Sequence, residues 1–205
     1  MYKLVFDSVI SLIVLFILSP FLLLISLLIK IDDWGPVLYR SVRVGKNRET
    51  FKMLKFRTMV VNADKIGGSS TPLDDPRLTR IGRMLRKYKL DEIPQFLNVL
   101  MGHMSIVGPR PQVPWAVALY NEEEKLLLSL KPGIIDYASI KFRNESEVLK
   151  GSPEPDRDYL IKIAPEKNRL ALEYIKRSSL RQDLKIIFLG IKTVFIRNKN
   201  TINLK

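Results

Sequence analysis

The chain contains no cysteine. Disulfides and thiolate catalysis are therefore excluded, and a structural zinc site is disfavoured. It has one histidine, His103, so no mechanism that needs two imidazoles is open to it. Acids are scarce relative to bases. Lys and Arg number 34 against 21 Asp and Glu, a formal net charge of +13. An excess of that size implies an anionic partner: nucleic acid, anionic lipid or a phosphorylated substrate. No internal repeat or low-complexity tract is present in the 205 residues. That length leaves room for one modest domain beside an apolar N-terminal segment.

That segment is the longest uncharged run. Ser8 to Ile29 is 22 residues without a charge, about 33 Å as a helix, roughly one hydrocarbon core. It is longer than a signal-peptide apolar region, and no small-residue cleavage site follows. Ser19-Pro20 lies at its midpoint. Proline removes a backbone donor and clashes with the preceding turn, so a kink is expected. The Ser19 hydroxyl can bond a freed carbonyl, which makes the break tolerable in lipid. The helix then either spans with a bend or turns back to the face it entered. Between residues 40 and 57 stand Arg40, Arg43, Lys46, Arg48, Lys52, Lys55 and Arg57, against one acid, Glu49. This bias places everything after residue 30 in the cytoplasm. The division expected is a membrane segment over 1–32 and a cytoplasmic domain over 33–205. Lys3 and Asp7 are spaced to pair on one helix face, with Asp7 close enough to the end to reach the headgroups.

In the cytoplasmic part, Val37 to Arg43 and Thr50 to Phe56 read as two strands joined through Gly45-Lys46-Asn47. Residues 62–76 read as a loop, a lid or plain surface. Leu78 to Lys87 reads as a helix, with Arg77, Arg80, Arg83 and Arg86 forming a basic stripe that either is solvated or meets an anion. A second helix is expected to start near Asp91 as N-cap, with Ile93, Leu97 and Leu100 on one face. Trp115 to Leu130 is predicted helical, residues 134–142 strand-like or extended and 144–157 loop. Helices follow over Pro165 to Arg177 and Leu180 to Ile196. The last is amphipathic: Leu184, Phe188, Ile191 and Phe195 share a face, with Lys185, Lys192 and Arg197 off it. Such a helix suits either the membrane interface or the core.

Lys89-Leu90-Asp91-Glu92 is the most informative local feature. Two adjacent carboxylates stand in a basic run of six bases between Arg77 and Lys89. An ionised Asp can be a nucleophile toward phosphorus, and such a pair can hold magnesium together with substrate phosphates. The bland alternative is an ordinary N-cap followed by a first-turn acid. Arg110, between Pro109 and Pro111, is pre-aimed by a rigid turn and suited to clamping phosphate. His103, alone, reads as structural.

These pieces occur in a familiar order. The chain resembles the monotopic phosphoglycosyl transferases, or bacterial sugar transferases. The resemblance rests on Phe6-Asp7, Ser19-Pro20, Gly35-Pro36-Val37-Leu38-Tyr39-Arg40, Val44-Gly45-Lys46 and Lys55-Phe56-Arg57-Thr58-Met59. It is densest through Asp75-Pro76-Arg77-Leu78-Thr79-Arg80-Ile81-Gly82, Leu90-Asp91-Glu92-Ile93-Pro94-Gln95, Asn98-Val99-Leu100 and Met104 to Pro111. Lys131-Pro132-Gly133-Ile134 and Asp183-Leu184-Lys185 also fit. The resemblance implies a mainly α fold with a short β-hairpin. It implies an N-terminal membrane helix made re-entrant by its Ser-Pro break, and a small cytoplasmic domain with interfacial amphipathic helices. It implies transfer of a sugar phosphate from a UDP-sugar to a polyprenyl phosphate such as undecaprenyl phosphate, at the cytoplasmic face of the bacterial inner membrane. Asp91 would be the nucleophile, and Glu92 its partner near Mg2+. Arg57 and Arg86 would be basic residues of the site, and Arg110 the arginine on the nucleotide side.

There are departures. His103 stands where the family has Asp, Ile135-Asp136 replaces Thr-Gly, and residues 141–170 fit poorly. The sequence fixes neither the sugar nor the oligomeric state. The competing readings use the same charge: a membrane-anchored nucleic-acid-binding protein, or a scaffold without catalysis. The first lacks a groove-reading helix or aromatic platform, so no nucleic-acid partner is expected. The second leaves the intact Asp91, Glu92 and Arg110 unexplained.

Overall fold

The apolar segment forms one helix, α1 (Tyr2–Asp33), in a computed structural model that describes residues 2–195. Most of α1 exposes apolar side chains, Leu12, Phe16, Ile17, Leu23 and Leu27 among them. Only Asp7, Ser11, Ile25 and Ile29 are buried. Pro20 has no N–H to give the carbonyl of Phe16 four residues earlier. The Ser19 hydroxyl donates to that same carbonyl at 2.8 Å.

Both ends of α1 are held by the globular part. At the start, Lys3 pairs with Asp183 and donates to the Val107 carbonyl at 3.1 Å. The Tyr174 hydroxyl donates to Asp183 at 2.7 Å, and the Ser105 hydroxyl donates to Asp7 at 2.7 Å. The expected Lys3–Asp7 pair is thus replaced by partners distant in sequence. Asp7 faces protein instead of lipid headgroups, because a carboxyl within an apolar helix is stabilised by a fixed donor. At the far end Ile25 and Ile29 pack with Phe56 and Leu85, and Asp33 receives both Nη groups of Arg57.

The hairpin is as predicted to within a residue. β1 (Leu38–Val44) pairs antiparallel with β2 (Thr50–Phe56), Val44 opposite Thr50. α2 (Arg80–Lys87) begins after Leu78, because the Thr79 hydroxyl caps it by accepting from Gly82 N at 2.9 Å. A Cβ on Gly82 would lie 1.9 Å from the Thr58 carbonyl oxygen, so only glycine lets α2 approach the strand end. Arg77 therefore leaves the predicted stripe. It is buried, paired with Asp75 and donating to the Ala63 and Gly68 carbonyls, each at 3.1 Å.

Lys89, left-handed at φ 58, stops α2. A tight turn over Leu90–Glu92 follows, and α3 is short (Gln95–Leu100). Asp91 is thus inside a turn and does not cap a helix. The buried side of α3 is Gln95, Asn98 and Val99, while Leu97 and Leu100 are exposed. The expected face is displaced because Asn98 serves the hairpin. It accepts from Leu54 N and donates to the Lys52 carbonyl, both at 2.8 Å.

A second sheet was not foreseen. β3 (Ser105–Val107) runs parallel to β4 (Gly133–Ile135). The predicted Trp115–Leu130 helix is only α4 (Pro114–Val117) and a 3-10 turn over Glu124–Ser129. Asn121 and Glu124 cap each other reciprocally, at 2.8 and 3.0 Å, and restart the chain there. The segment expected to be extended becomes helical after β4. Asp136 and Ser139 form a capping box that starts α5 (Tyr137–Lys141). The expected loop contains α6 (Glu145–Val148) and the start of α7 (Pro155–Lys162). α8 (Ala164–Lys176) and α9 (Leu180–Phe195) match their predicted spans closely. Ile196, Arg197 and the Phe195 side chain lie outside the described residues.

The main core cluster joins Ile106 and Val107 of β3 to Ile140, Tyr174 and Ile186. α9 turns Asp183, Ile186 and Gly190 inward and leaves Leu184, Phe188 and Ile191 exposed. The predicted apolar face is therefore not the one packed on the core.

Asp183→Ala strips acceptors from Lys3 and Tyr174. A loss of about 1–3 kcal/mol is expected, read by denaturant unfolding of the detergent-solubilised protein. Faster amide exchange over residues 2–11 should accompany it. Unchanged exchange there would refute the tie.

Candidate active site

The turn over Leu90–Glu92 sends two adjacent carboxyls different ways. Asp91 points inward, 4% exposed, and its Oδ1 has no hydrogen-bond partner. Glu92 meets two cations from distant segments. Lys55 of β2 reaches Oε1 at 3.0 Å. Arg110 takes both oxygens, Nη1 to Oε2 at 3.1 Å and Nη2 to Oε1. The Pro109-Arg110-Pro111 turn is fixed from behind. Gly133 N donates to the Pro109 carbonyl at 2.9 Å and Gly108 N to the Ile135 carbonyl at 3.2 Å. The Arg110 N–H donates to Asp136 at 3.3 Å. A Cβ on Gly133 would fall 2.1 Å from Gly108 N, so Pro132-Gly133 permits the close approach that holds the turn.

Arg86, on α2, donates from Nε to the Thr58 hydroxyl and from Nη2 to the Thr71 hydroxyl, each at 3.2 Å. It brings the 62–76 loop beside the site. Asp156 pins that loop by accepting from Ser70 N at 2.6 Å and Ser69 N at 3.2 Å. Arg57 is buried against the end of α1, its Nε on the Pro36 carbonyl at 2.6 Å and its Nη groups on Asp33. Of the residues singled out from sequence, Asp91, Glu92, Arg86 and Arg110 share one electrostatic neighbourhood. Arg57 is committed to the anchor, and Ser19 and Pro20 lie in α1. His103 is exposed, its ring stacked on Phe51 at 5.8 Å.

Burial pushes the Asp91 carboxyl above its ordinary value. Lys55, Arg86 and Lys89 pull it down, while Glu92 adds to the rise. Burial would also raise Glu92, but Arg110 and Lys55 outweigh it and hold that carboxyl well below its usual range. The Lys55 ammonium is lowered by its own burial, partly offset by Glu92. Glu92 is therefore a fixed anion, and Asp91 is the carboxyl left without a neutralising pair. Lys55 had no assigned role from sequence. Nothing distinguishes it there from the neighbouring bases, since the strand pairing and the Pro-Arg-Pro turn bring it to Glu92.

Whether this donor set suits magnesium follows from the same geometry. Magnesium keeps several waters and takes one or two carboxylates plus substrate phosphates. Among the described residues no three His, Cys, Asp or Glu side chains cluster. The free Asp91 Oδ1 fits that mode, whereas both Glu92 oxygens are engaged by cations. Of the pair, Asp91 is the carboxyl with an oxygen free for the ion.

A sequence model of the bacterial sugar transferases matches residues 1–197. The chain belongs to the bacterial sugar transferase family. Among similar proteins is the exopolysaccharide production protein ExoY of Sinorhizobium fredii, 37% identical over 204 residues, 92% of this chain and 83% of that protein. The exopolysaccharide production protein PSS of Rhizobium leguminosarum bv. phaseoli is 38% identical over 204 residues, 96% of each chain. The UDP-glucose:undecaprenyl-phosphate glucose-1-phosphate transferase of Escherichia coli is 38% identical over 199 residues, 93% of this chain but 39% of that longer protein. As a bacterial sugar transferase the chain is an enzyme, a phosphoglycosyl transferase.

Two outcomes follow for this transferase. A carboxyl whose folded pKa is raised takes up protons on folding. Stability therefore falls as pH rises from the unfolded value through the folded one. Ionised Asp91 thus costs stability at neutral pH, and Asp91→Asn should raise the melting temperature at pH 7. The rise should be about 2–4 °C for each kcal/mol relieved, and it should vanish in acid. A melting point lowered at pH 7 would contradict the assigned shift. Separately, Lys55→Met removes the main charge opposing that shift, so the acid limb of kcat/KM should move to higher pH. A limb that stays in place would separate Lys55 from Asp91.

Proposed function

We propose that the chain transfers a sugar 1-phosphate from a UDP-sugar to a polyprenyl phosphate, undecaprenyl phosphate by default, at the cytoplasmic face of the bacterial inner membrane. The observation that carries this reading is one buried, unpartnered carboxylate oxygen, on Asp91, beside a Glu92 already neutralised by Lys55 and Arg110. The name of the Escherichia coli relative describes this type of reaction for glucose, and the two exopolysaccharide proteins point to polysaccharide synthesis.

In the proposed route Asp91 attacks the sugar-linked phosphorus. A phosphorus–oxygen bond forms to Oδ, the bond to the bridging oxygen breaks, and UMP leaves. An oxygen of the polyprenyl phosphate then attacks the same phosphorus. The aspartyl bond breaks, giving polyprenyl-diphospho-sugar and restoring the carboxylate. Both steps bring anions together, so fixed cations must screen them. Arg110 and Arg86 are assigned to phosphate oxygens, and Lys55 to keeping Glu92 charged and in place. Arg57 is assigned to the membrane side of the site, where its pair with Asp33 ties β2 to the anchor. Magnesium held by Asp91 and Glu92 would neutralise the donor diphosphate and polarise the reacting phosphorus.

The anchor is read as re-entrant. Its start is tied to Ser105, Val107 and Asp183, and its end to Phe56, Leu85 and Arg57. A helix with both ends on one small domain is supported as entering and leaving the bilayer by the same face. The Ser19 bond to Phe16 supports a tolerated break at mid-depth. The exposed Leu184, Phe188 and Ile191 support α9 as an interfacial helix.

The test is purified chain, magnesium and polyprenyl phosphate with a panel of UDP-sugars, measuring UMP. Asp91→Asn should lose at least about 10³-fold in turnover, since an amide is no nucleophile here. A phospho-sugar mass increase on wild-type enzyme is expected when lipid is withheld. Wild-type levels of UMP release from Asp91→Asn would end the mechanism. No release from any donor would favour the scaffold or nucleic-acid-binding reading. Because the chain lacks cysteine, Tyr2→Cys and Lys46→Cys report topology cleanly. An impermeant maleimide should label both only after the cells are opened. Labelling of Tyr2→Cys in intact spheroplasts would establish a spanning helix instead.

A further inference from the structure

One cation near the site has no partner to explain it. Arg43 lies near the end of β1, one residue before Val44, whose N–H donates to the Gln112 carbonyl at 3.0 Å. That bond joins β1 to the segment leaving the Pro-Arg-Pro turn, so Arg43 is brought beside Arg110. Arg43 is half-buried, and its Nε is fully shielded without a hydrogen-bond partner. Among the described residues it makes no ion pair. The acid whose charge reaches it, Glu92, is committed to Lys55 and Arg110. Near it also stand a like charge, Arg110, and two phenols, Tyr39 and Tyr159. Burial, reinforced by Arg110, lowers the guanidinium to about 10.

An arginine buried for structural reasons is expected to be paired. A half-buried guanidinium whose Nε–H is shielded and unpaired, next to a second guanidinium, is costly unless an acceptor reaches it. Tyr159 marks which end of the site this is. Its hydroxyl accepts from Gln112 Nε2 at 3.0 Å, and Lys167 lies 5.3 Å from its ring centre. Arg110, Gln112 and Lys167, with Tyr120, Asp136 and Asn168, line one recess.

We infer that Arg43 is a second phosphate-binding arginine of the donor site. It would take, together with Arg110, the nucleotide-side phosphate of a nucleoside diphosphate sugar. The inference rests on the transfer reaction proposed above. Two planar forks from different segments can hold one phosphate by charge-assisted pairs. The same phosphate becomes the terminal group of the leaving nucleotide, so Arg43 binds substrate and product alike. The ligand supplies the charge that the fold leaves out.

The test uses full-length detergent-solubilised protein, with UMP alone as the binding probe. Arg43→Gln should weaken UMP binding about tenfold or more, the worth of one charge-assisted contact. The KM for UDP-sugar should rise, with the KM for polyprenyl phosphate unchanged. Arg43→Lys should recover part of the UMP affinity. Without UMP, Arg43→Gln should melt no lower than wild type, because an unpaired buried charge is removed. Wild-type UMP should raise the melting temperature more than in the variant. UMP affinity within twofold of wild type would overturn the inference, as would a lower melting point with affinity retained. Failure of both variants to fold would assign the guanidinium a structural role and overturn it equally. A wild-type chain that neither binds UMP nor releases it from any UDP-sugar would instead overturn the transfer reading. Wild-type turnover with normal Arg43 variants overturns only this inference.

Discussion

The Glu92 carboxylate is the point at which the fold and the site meet. It is shielded, and a shielded charge is stable only when paired. Its partners come from two different structures, Lys55 from the hairpin and Arg110 from the turn backed by the parallel strands. Closing those pairs draws β2, the turn after α2 and the Pro-Arg-Pro segment onto one another. With Glu92 satisfied, Asp91 beside it is left as the carboxyl whose charge the protein opposes and whose oxygen nothing engages.

The surplus of positive charge has the same logic. Lys55, Arg43, Arg86 and Arg110 surround two carboxylates, so the site carries net positive charge before substrate arrives. Folding alone would favour trimming that excess, and stability is commonly given up at functional sites. Three other buried cations are neutralised within the fold. Arg77 is matched to Asp75, Arg57 to Asp33 and Lys167 to Glu145. The contrast between matched and unmatched arginines is more informative than the net charge of the chain.

The anchor shows the same economy in reverse. Lys3 and Asp7 are expensive in an apolar helix and are each given a protein partner at β3 or α9. Those contacts, with Ile25, Ile29 and Asp33 at the other end, fix the globular part to both ends of the helix.

By itself the sequence determined what depends on neighbours along the chain. The uncharged 22-residue run, the hairpin and the spans of α8 and α9 follow from local composition and periodicity. The Asp91-Glu92 pair and Arg110 stood out because their residue types and spacing are unusual. Local rules failed wherever a distant group intervened. Asn98 turned α3 to serve β2, Thr79 and Gly82 moved the start of α2, and Asn121 with Glu124 broke a predicted helix. Only the tertiary structure decided that Lys55 faces Glu92, that Lys3 leaves Asp7 for Asp183, and that Arg43 is left unpaired while Arg77 is not. Each of those outcomes is a choice of partner for a charge. Coulombic pairing acts through space between residues that the order of the chain keeps far apart.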